Sequence, residues 1–147
     1  MENLDWTYSD GDSTPGGIAI RVLLVDDDSD LRILLRTVLT HAGGFEISEA
    51  VDGRSALDAI ALAPPPDIVV TDLMMPGMTG MELIRRIRLD PLSAGIRILV
   101  VSGNAGGEEG EEIRGMVDAL MAKDAIYPGL LPVMRSLAPG LGAATAN

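Results

Sequence analysis

Five short apolar runs, each followed by a stretch with helical spacing, limit most strongly what this chain can fold into. Ile20 to Val25 is apolar apart from Arg21 and is bounded by acids, which suits a strand buried on both faces. Leu31, Leu34, Leu35, Val38 and Leu39 then recur at the spacing of one helix face. Ser29 or a neighbouring Asp offers the N-cap, and Gly43-Gly44 ends the helix. Phe45 to Ala50 reads as a second strand, Arg54 to Leu62 as a helix ended by three prolines, and Asp67 to Thr71 as a third strand. Met81, Ile84, Ile87 and Arg88 share a face of a helix from about Thr79 to Leu89, and Ile96 to Val101 is the fourth strand. Glu108 to Met116 reads as a helix weakened by Gly110 and Gly115, each costing about 1 kcal/mol against Ala. Val117 to Ala122 is the fifth strand, and Pro128 suits the first turn of a last helix reaching about Leu137.

Strands that alternate with helices predict an α/β fold, a parallel sheet with helices on both faces. In such sheets ligands sit beyond the carboxyl ends of the strands. The residues just past the apolar runs therefore carry the chemistry: Asp26-Asp27-Asp28, Asp72, Ser102 and Lys123. Taken alone, the acidic triplet reads as a solvated helix start, and Ser102 as a turn cap. Together with Asp72 and Lys123 they form a different pattern. Two carboxylates 4 Å apart repel by about 4 kcal/mol at an effective dielectric of 20, so converging acids need a cation. Oxygen donors without His or Cys favour a hard ion such as Mg²⁺. A lysine beside it suits a phosphoryl group, the Ser102 hydroxyl can donate to a phosphoryl oxygen, and a carboxylate can serve as nucleophile to give an aspartyl phosphate.

Four segments carry a family likeness. VLLVDDDSDLR (Val22 to Arg32), VVTDLMMPGMTG (Val69 to Gly80), VVSGNA (Val100 to Ala105) and the lysine after the fifth strand resemble the response regulator receiver domains of two-component signalling. The resemblance covers about Arg21 to Leu137 in order and spacing, with 45 residues from Asp27 to Asp72 and 21 from Ser102 to Lys123. It implies a flavodoxin-like, doubly wound five-stranded sheet of order 2-1-3-4-5. It also implies that Asp72 is the phosphoacceptor and a Mg²⁺ ligand, Asp27 a direct Mg²⁺ ligand, Asp26 a ligand through water and the Met74 backbone carbonyl a further ligand. Lys123 would pair with the phosphoryl group, and Ser102 would move to bond it and so report phosphorylation. A histidine kinase or histidine phosphotransfer protein would supply the phosphoryl group, and a downstream protein partner would read the switched surface.

Two positions depart from the family pattern. Asp124 stands where proline usually follows the lysine in a bond that is often cis, so a different loop path is expected there. Leu120 stands where an aromatic rotamer switch often sits, so readout is expected through packing or backbone motion instead. The segment from Gly103 to Gly115 holds five glycines and four glutamates and is expected to be unusually mobile, or ordered only with a partner. His41 reads as a charge complement to a helix end, the methionines at 74, 75, 78 and 81 as packing, and Trp6 and Tyr8 as incidental aromatics.

Composition narrows the function. The chain has 147 residues and 47 % hydrophobic content, enough for one core, built from aliphatics because aromatics are only 3 %. Residues 1 to 17 read as a flexible acidic extension, 18 to 137 as the domain and 138 to 147 as a short tail, leaving no attached output domain. A net charge of −11 disfavours nucleic acid and anionic membranes as partners. With no cysteine, no apolar leader and no apolar stretch near the roughly 20 residues a membrane span requires, a cytoplasmic protein is expected, as a monomer or weak homodimer. A phosphatase with an Asp nucleophile would place an acid two residues after Asp72, where Met74 stands, so an enzyme is not expected. The remaining alternative is a receiver-fold interaction module that works without phosphorylation.

Overall fold

The computed structural model describes residues 19–62, 64–103 and 107–138. Five strands are present: β1 (Ile20–Val25), β2 (Phe45–Ala50), β3 (Ile68–Thr71), β4 (Arg97–Ser102) and β5 (Ala119–Ala122). Between and after them lie α1 (Ser29–Ala42), α2 (Gly53–Ala61), α3 (Gly80–Leu89), α4 (Glu108–Ile113), a 3₁₀ turn (Lys123–Ala125) and α5 (Ile126–Leu137). All pairings are parallel, and the order across the sheet is β2-β1-β3-β4-β5. This is the doubly wound 2-1-3-4-5 arrangement.

The unbroken apolar runs have a physical reason. Successive strand residues point to opposite faces, and here both faces are covered. Leu23, Val25, Val69, Ile98 and Val100 pack with Ala56 of α2, Leu83, Ile84 and Ile87 of α3, and Ile113 of α4. Val22, Leu24, Ile68, Val70, Leu99 and Val101 pack with Leu31, Leu35 and Leu39 of α1, and Ile126, Leu130 and Met134 of α5. Each fully buried Leu or Ile contributes about 1.5–3 kcal/mol relative to exposure, so the two small-residue layers replace what aromatics supply elsewhere.

Caps fix where the helices begin. Asp28 caps α1 by accepting from the backbone N–H groups of Asp30 and Leu31, and Gly43, at φ 80°, ends the helix. Asp52 and Ser55 form a reciprocal capping box on α2, and Thr79 caps α3. At the end of the sheet away from the acids, Arg88 donates to the carbonyls of Met116, Ala94 and Ile96 at 2.6–2.8 Å and pairs with Asp118 at 3.0 Å.

Three expectations are corrected. The helix expected to reach Met116 ends at Ile113 and gives way to turns, as Gly115 favours. The fifth strand starts at Ala119 rather than Val117. Pro128 is not in a helical first turn: Tyr127 and Pro128 are non-helical, so the regular part of α5 follows them. The cis peptide bond lies at Tyr127–Pro128, four residues beyond Asp124, where family members have their proline. The proposed extension over 1–17, Trp6 and Tyr8, and all of the tail but Ala138 lie outside the described residues, as do residues 104–106 of the glycine-rich segment. No helix among the described residues is long and apolar enough to cross a membrane.

Candidate functional site

Strand register brings the acids together. Val25 pairs with Thr71 across β1 and β3, so Asp26 and Asp72 leave the sheet side by side. Their backbone amides still bond across the sheet edge, Asp72 N–H to the Val25 carbonyl at 3.3 Å and Asp26 N–H to the Ala50 carbonyl at 3.2 Å. Ser102 pairs with Ala122 across β4 and β5, which brings Lys123 to the same edge one residue later.

The result is a half-enclosed polar site. Asp26 and Asp72 are 2 % and 6 % exposed, whereas Asp27 lies exposed on the rim. Lys123 Nζ stands 3.1 Å from Asp72 Oδ2. The other carboxylate oxygen, Oδ1, accepts from Leu73 N–H at 2.7 Å and lies 3.4 Å from Met74 N, which locks the side-chain orientation. Asp26 Oδ1 accepts from Asp28 N–H at 2.8 Å. Ser102 is buried at the end of β4. The Met74 side chain is exposed, while its backbone N lies 3.4 Å from Asp72 Oδ1.

The charges do not balance. Burial pushes the Asp26 carboxyl up to about 6, the Asp28 amide bond pulls it down, and the nearby Asp72 charge pushes it further up. Burial alone would depress the Lys123 ammonium. The hydrogen bond and charge of Asp72, with Asp26 and Asp28 behind it, offset that, and its pKa is raised. One ammonium thus faces two buried acids and a third on the rim. A hard cation fits this oxygen-only donor set. Among the described residues no three acidic or histidine side chains form a closed cage, so an ion here would complete its shell with backbone carbonyl and water, as Mg²⁺ does.

The strained carboxyl makes a stability prediction. The folded-state pKa of Asp26 is above its unfolded value, so its contribution is most favourable below about pH 4 and is lost as pH rises through 6. A shift of this size is worth of order 2–3 kcal/mol at neutral pH. Asp26→Asn retains the acceptor for Asp28 N–H and removes the charge. In chelator, at pH 7.5, the variant is expected to be more stable than the wild type by about 2 kcal/mol. The gap should narrow below pH 6 and close near pH 4. Urea titrations across that range check it, and a variant no more stable than wild type at pH 7.5 would refute the assignment.

Two residues that shape the site are not among those singled out from the sequence. Gly80, the first residue of α3, donates its N–H to the Leu73 carbonyl at 2.9 Å and closes the loop that carries Asp72. Arg32 of α1 donates to the backbone carbonyl of Asp26. The glycine after a capping Thr in M-T-G was a readable signal of close backbone approach. Nothing in the spacing of Arg32 distinguishes it from a solvated helix charge.

A doubly wound parallel sheet with paired acids and a lysine at its carboxyl edge defines a class of flavodoxin-like domain with a charged site at the strand ends. Residues 22–122 match the response regulator receiver domain family, and the chain belongs to it. It is 36 % identical over 121 residues to response regulator MprA of Mycolicibacterium vanbaalenii, covering 80 % of this chain and 50 % of that protein. It is 38 % identical over 100 residues to response regulator PleD of Caulobacter vibrioides, covering 67 % of this chain and 21 % of that one. The chain thus matches half or less of the length of these curated relatives. Among solved structures, a response regulator receiver protein from Pseudomonas putida superposes with a TM-score of 0.73 at 28 % identity, covering 80 % of this chain and 97 % of that one. This stretch of chain is a receiver domain of two-component signalling.

Proposed function

We propose that the domain is a phosphorylation switch that accepts a phosphoryl group on Asp72 from a histidine kinase or phosphotransfer protein and does not itself turn over a substrate. The observation that carries this reading is the Asp72–Lys123 pair at 3.1 Å beside the buried, charge-strained Asp26. An Asp72 carboxylate oxygen attacks phosphorus, the bond to the donor's imidazole nitrogen breaks, and the electron pair leaves with that nitrogen. Leu73 N–H holds the carboxylate in one orientation during the attack. Lys123 then takes a phosphoryl oxygen in place of its present partner, a short move for a flexible ammonium. Asp27, Asp72 and the Met74 carbonyl, with Asp26 through a water, would hold Mg²⁺, which when bound would neutralise charge on the phosphoryl oxygens.

Ser102, buried at the end of β4, would donate its hydroxyl to the group and carry the change toward α4. Leu120 is half-buried and packs against the core layer that contains Ile113, so this switch is read through packing near α4 and not through an aromatic swing. A bound dianion biases that surface and so its affinity for a protein partner. The same reading puts the protein in the cytoplasm with its donors, without nucleic acid or membrane as partner, as a monomer or weak homodimer.

Incubation with acetyl phosphate and Mg²⁺, followed by intact mass, tests the reading. One phosphoryl adduct is expected, absent with chelator and absent in Asp72→Asn. No adduct with acetyl phosphate or with any histidine kinase donor would favour the interaction module that acts without phosphorylation.

A further inference from the structure

The chain leaves the sheet at Val25, and the Asp26 carbonyl falls beyond the last backbone partner of β1. It is taken up by a side chain: Arg32 Nη1 lies 2.5 Å from it. The Arg32 side chain is only 15 % exposed and its guanidinium is itself anchored, Nε donating to Glu49 Oε1 at 2.9 Å. The second oxygen of Glu49 accepts from Arg36 Nη1 at 2.6 Å. Both oxygens of that carboxylate are therefore used, and Arg32 cannot swing away without breaking its contacts to β2 and to Asp26. The Asp26 carbonyl and the Asp27 N–H belong to one rigid plane. Fixing the oxygen fixes the plane, and with it the direction in which the chain sends Asp27. Asp28 N–H in turn holds Asp26 Oδ1 at 2.8 Å.

We propose that Arg32 is a positioning residue for cation binding, setting the Asp26–Asp27 peptide so that both acids face one ion. This rests on the metal-assisted reading above. Arg32 has two opposed influences there. Its positive charge repels an arriving cation, so by field alone its removal would tighten binding. As a clamp it pre-orients the ligands, so its removal would weaken binding. The sign of the change tells the two apart.

The test is a titration of the full chain with MgCl₂ in the absence of any phosphoryl donor, followed by the amide NMR shifts of Asp26, Asp27 and Asp72. Arg32→Gln is expected to raise the half-saturating Mg²⁺ concentration by about tenfold, the size usual for residues that orient metal ligands. Arg32→Lys retains the charge but loses the planar fork, and should fall between that variant and the wild type. A folded Arg32→Gln protein with a wild-type or lower half-saturation would overturn the proposal, even if its melting temperature had fallen. Should Arg32→Gln not fold, Arg32→Lys decides: a raised half-saturation supports the clamp and a wild-type value overturns it. If the wild type itself shows no Mg²⁺-dependent shift, the metal reading falls and takes this inference with it, a result distinct from a variant that titrates like the wild type.

Discussion

Replacing Gly80 by alanine is expected to destabilise the domain by about 3 kcal/mol or more, and replacement by valine to prevent folding. A Cβ at this position would overlap the Asp72 carbonyl oxygen and lie 2.7 Å from Leu73 Cα and 2.9 Å from the Asp72 carbonyl carbon. These are backbone atoms of the strand end, held by the Thr71–Val100 pairing and by the Gly80 N–H to Leu73 carbonyl bond, so they cannot turn aside as a side chain could. Relief requires α3 to retreat from the sheet, which opens the layer where Leu83, Ile84 and Ile87 are fully buried. Any folded fraction would carry Asp72 on a displaced peptide and accept phosphate poorly. Urea unfolding of Gly80→Ala measures the cost, and a change below about 0.5 kcal/mol would show that the contact is not as tight as described.

The second large effect concerns Lys123. Lys123→Gln removes the only cation that touches Asp72 among the described residues. The ion pair is about one-third exposed on the lysine side, so its loss should alter stability by less than about 1 kcal/mol. On the proposed mechanism its effect on transfer should be much larger, because the charge would act where phosphoryl oxygens gather in the transition state. Removal of one such preorganised donor typically slows a reaction by about a hundredfold. Arginine should not restore the rate, since a planar fork occupies more space than a compact ammonium. The rate of adduct formation at saturating Mg²⁺ gives the comparison, and a Gln variant within threefold of wild type would remove Lys123 from the mechanism.

The parts of this protein legible in its sequence are those governed by local periodicity and strand ends. The apolar runs gave the strands because both faces of a parallel sheet are covered, and the polar residues after Val25, Thr71, Val101 and Ala122 fell at one edge because parallel strands all end there. The acid–lysine convergence at Asp26, Asp72 and Lys123 was therefore readable before any coordinates. What was not readable depends on tertiary contact. Arg32 looks like any exposed helix arginine until β2 brings Glu49 across from it. Gly80 is marked as a close-approach glycine by its place after the capping Thr79, but which backbone it approaches is set only once α3 lies against the Asp72 peptide. The start of α5 was misplaced because Pro128 permits a first helical turn but does not require one, and the backbone at Tyr127 and Pro128 takes another path.

The most direct measurement identifies the modified residue itself. The protein is phosphorylated with acetyl phosphate and Mg²⁺, treated with borohydride to reduce any acyl phosphate to the alcohol, digested, and sequenced by mass spectrometry. Homoserine at position 72, and unmodified aspartate at 26 and 27, is the result expected. Homoserine at another position, or none in a sample that carries the adduct, would contradict Asp72 as the acceptor.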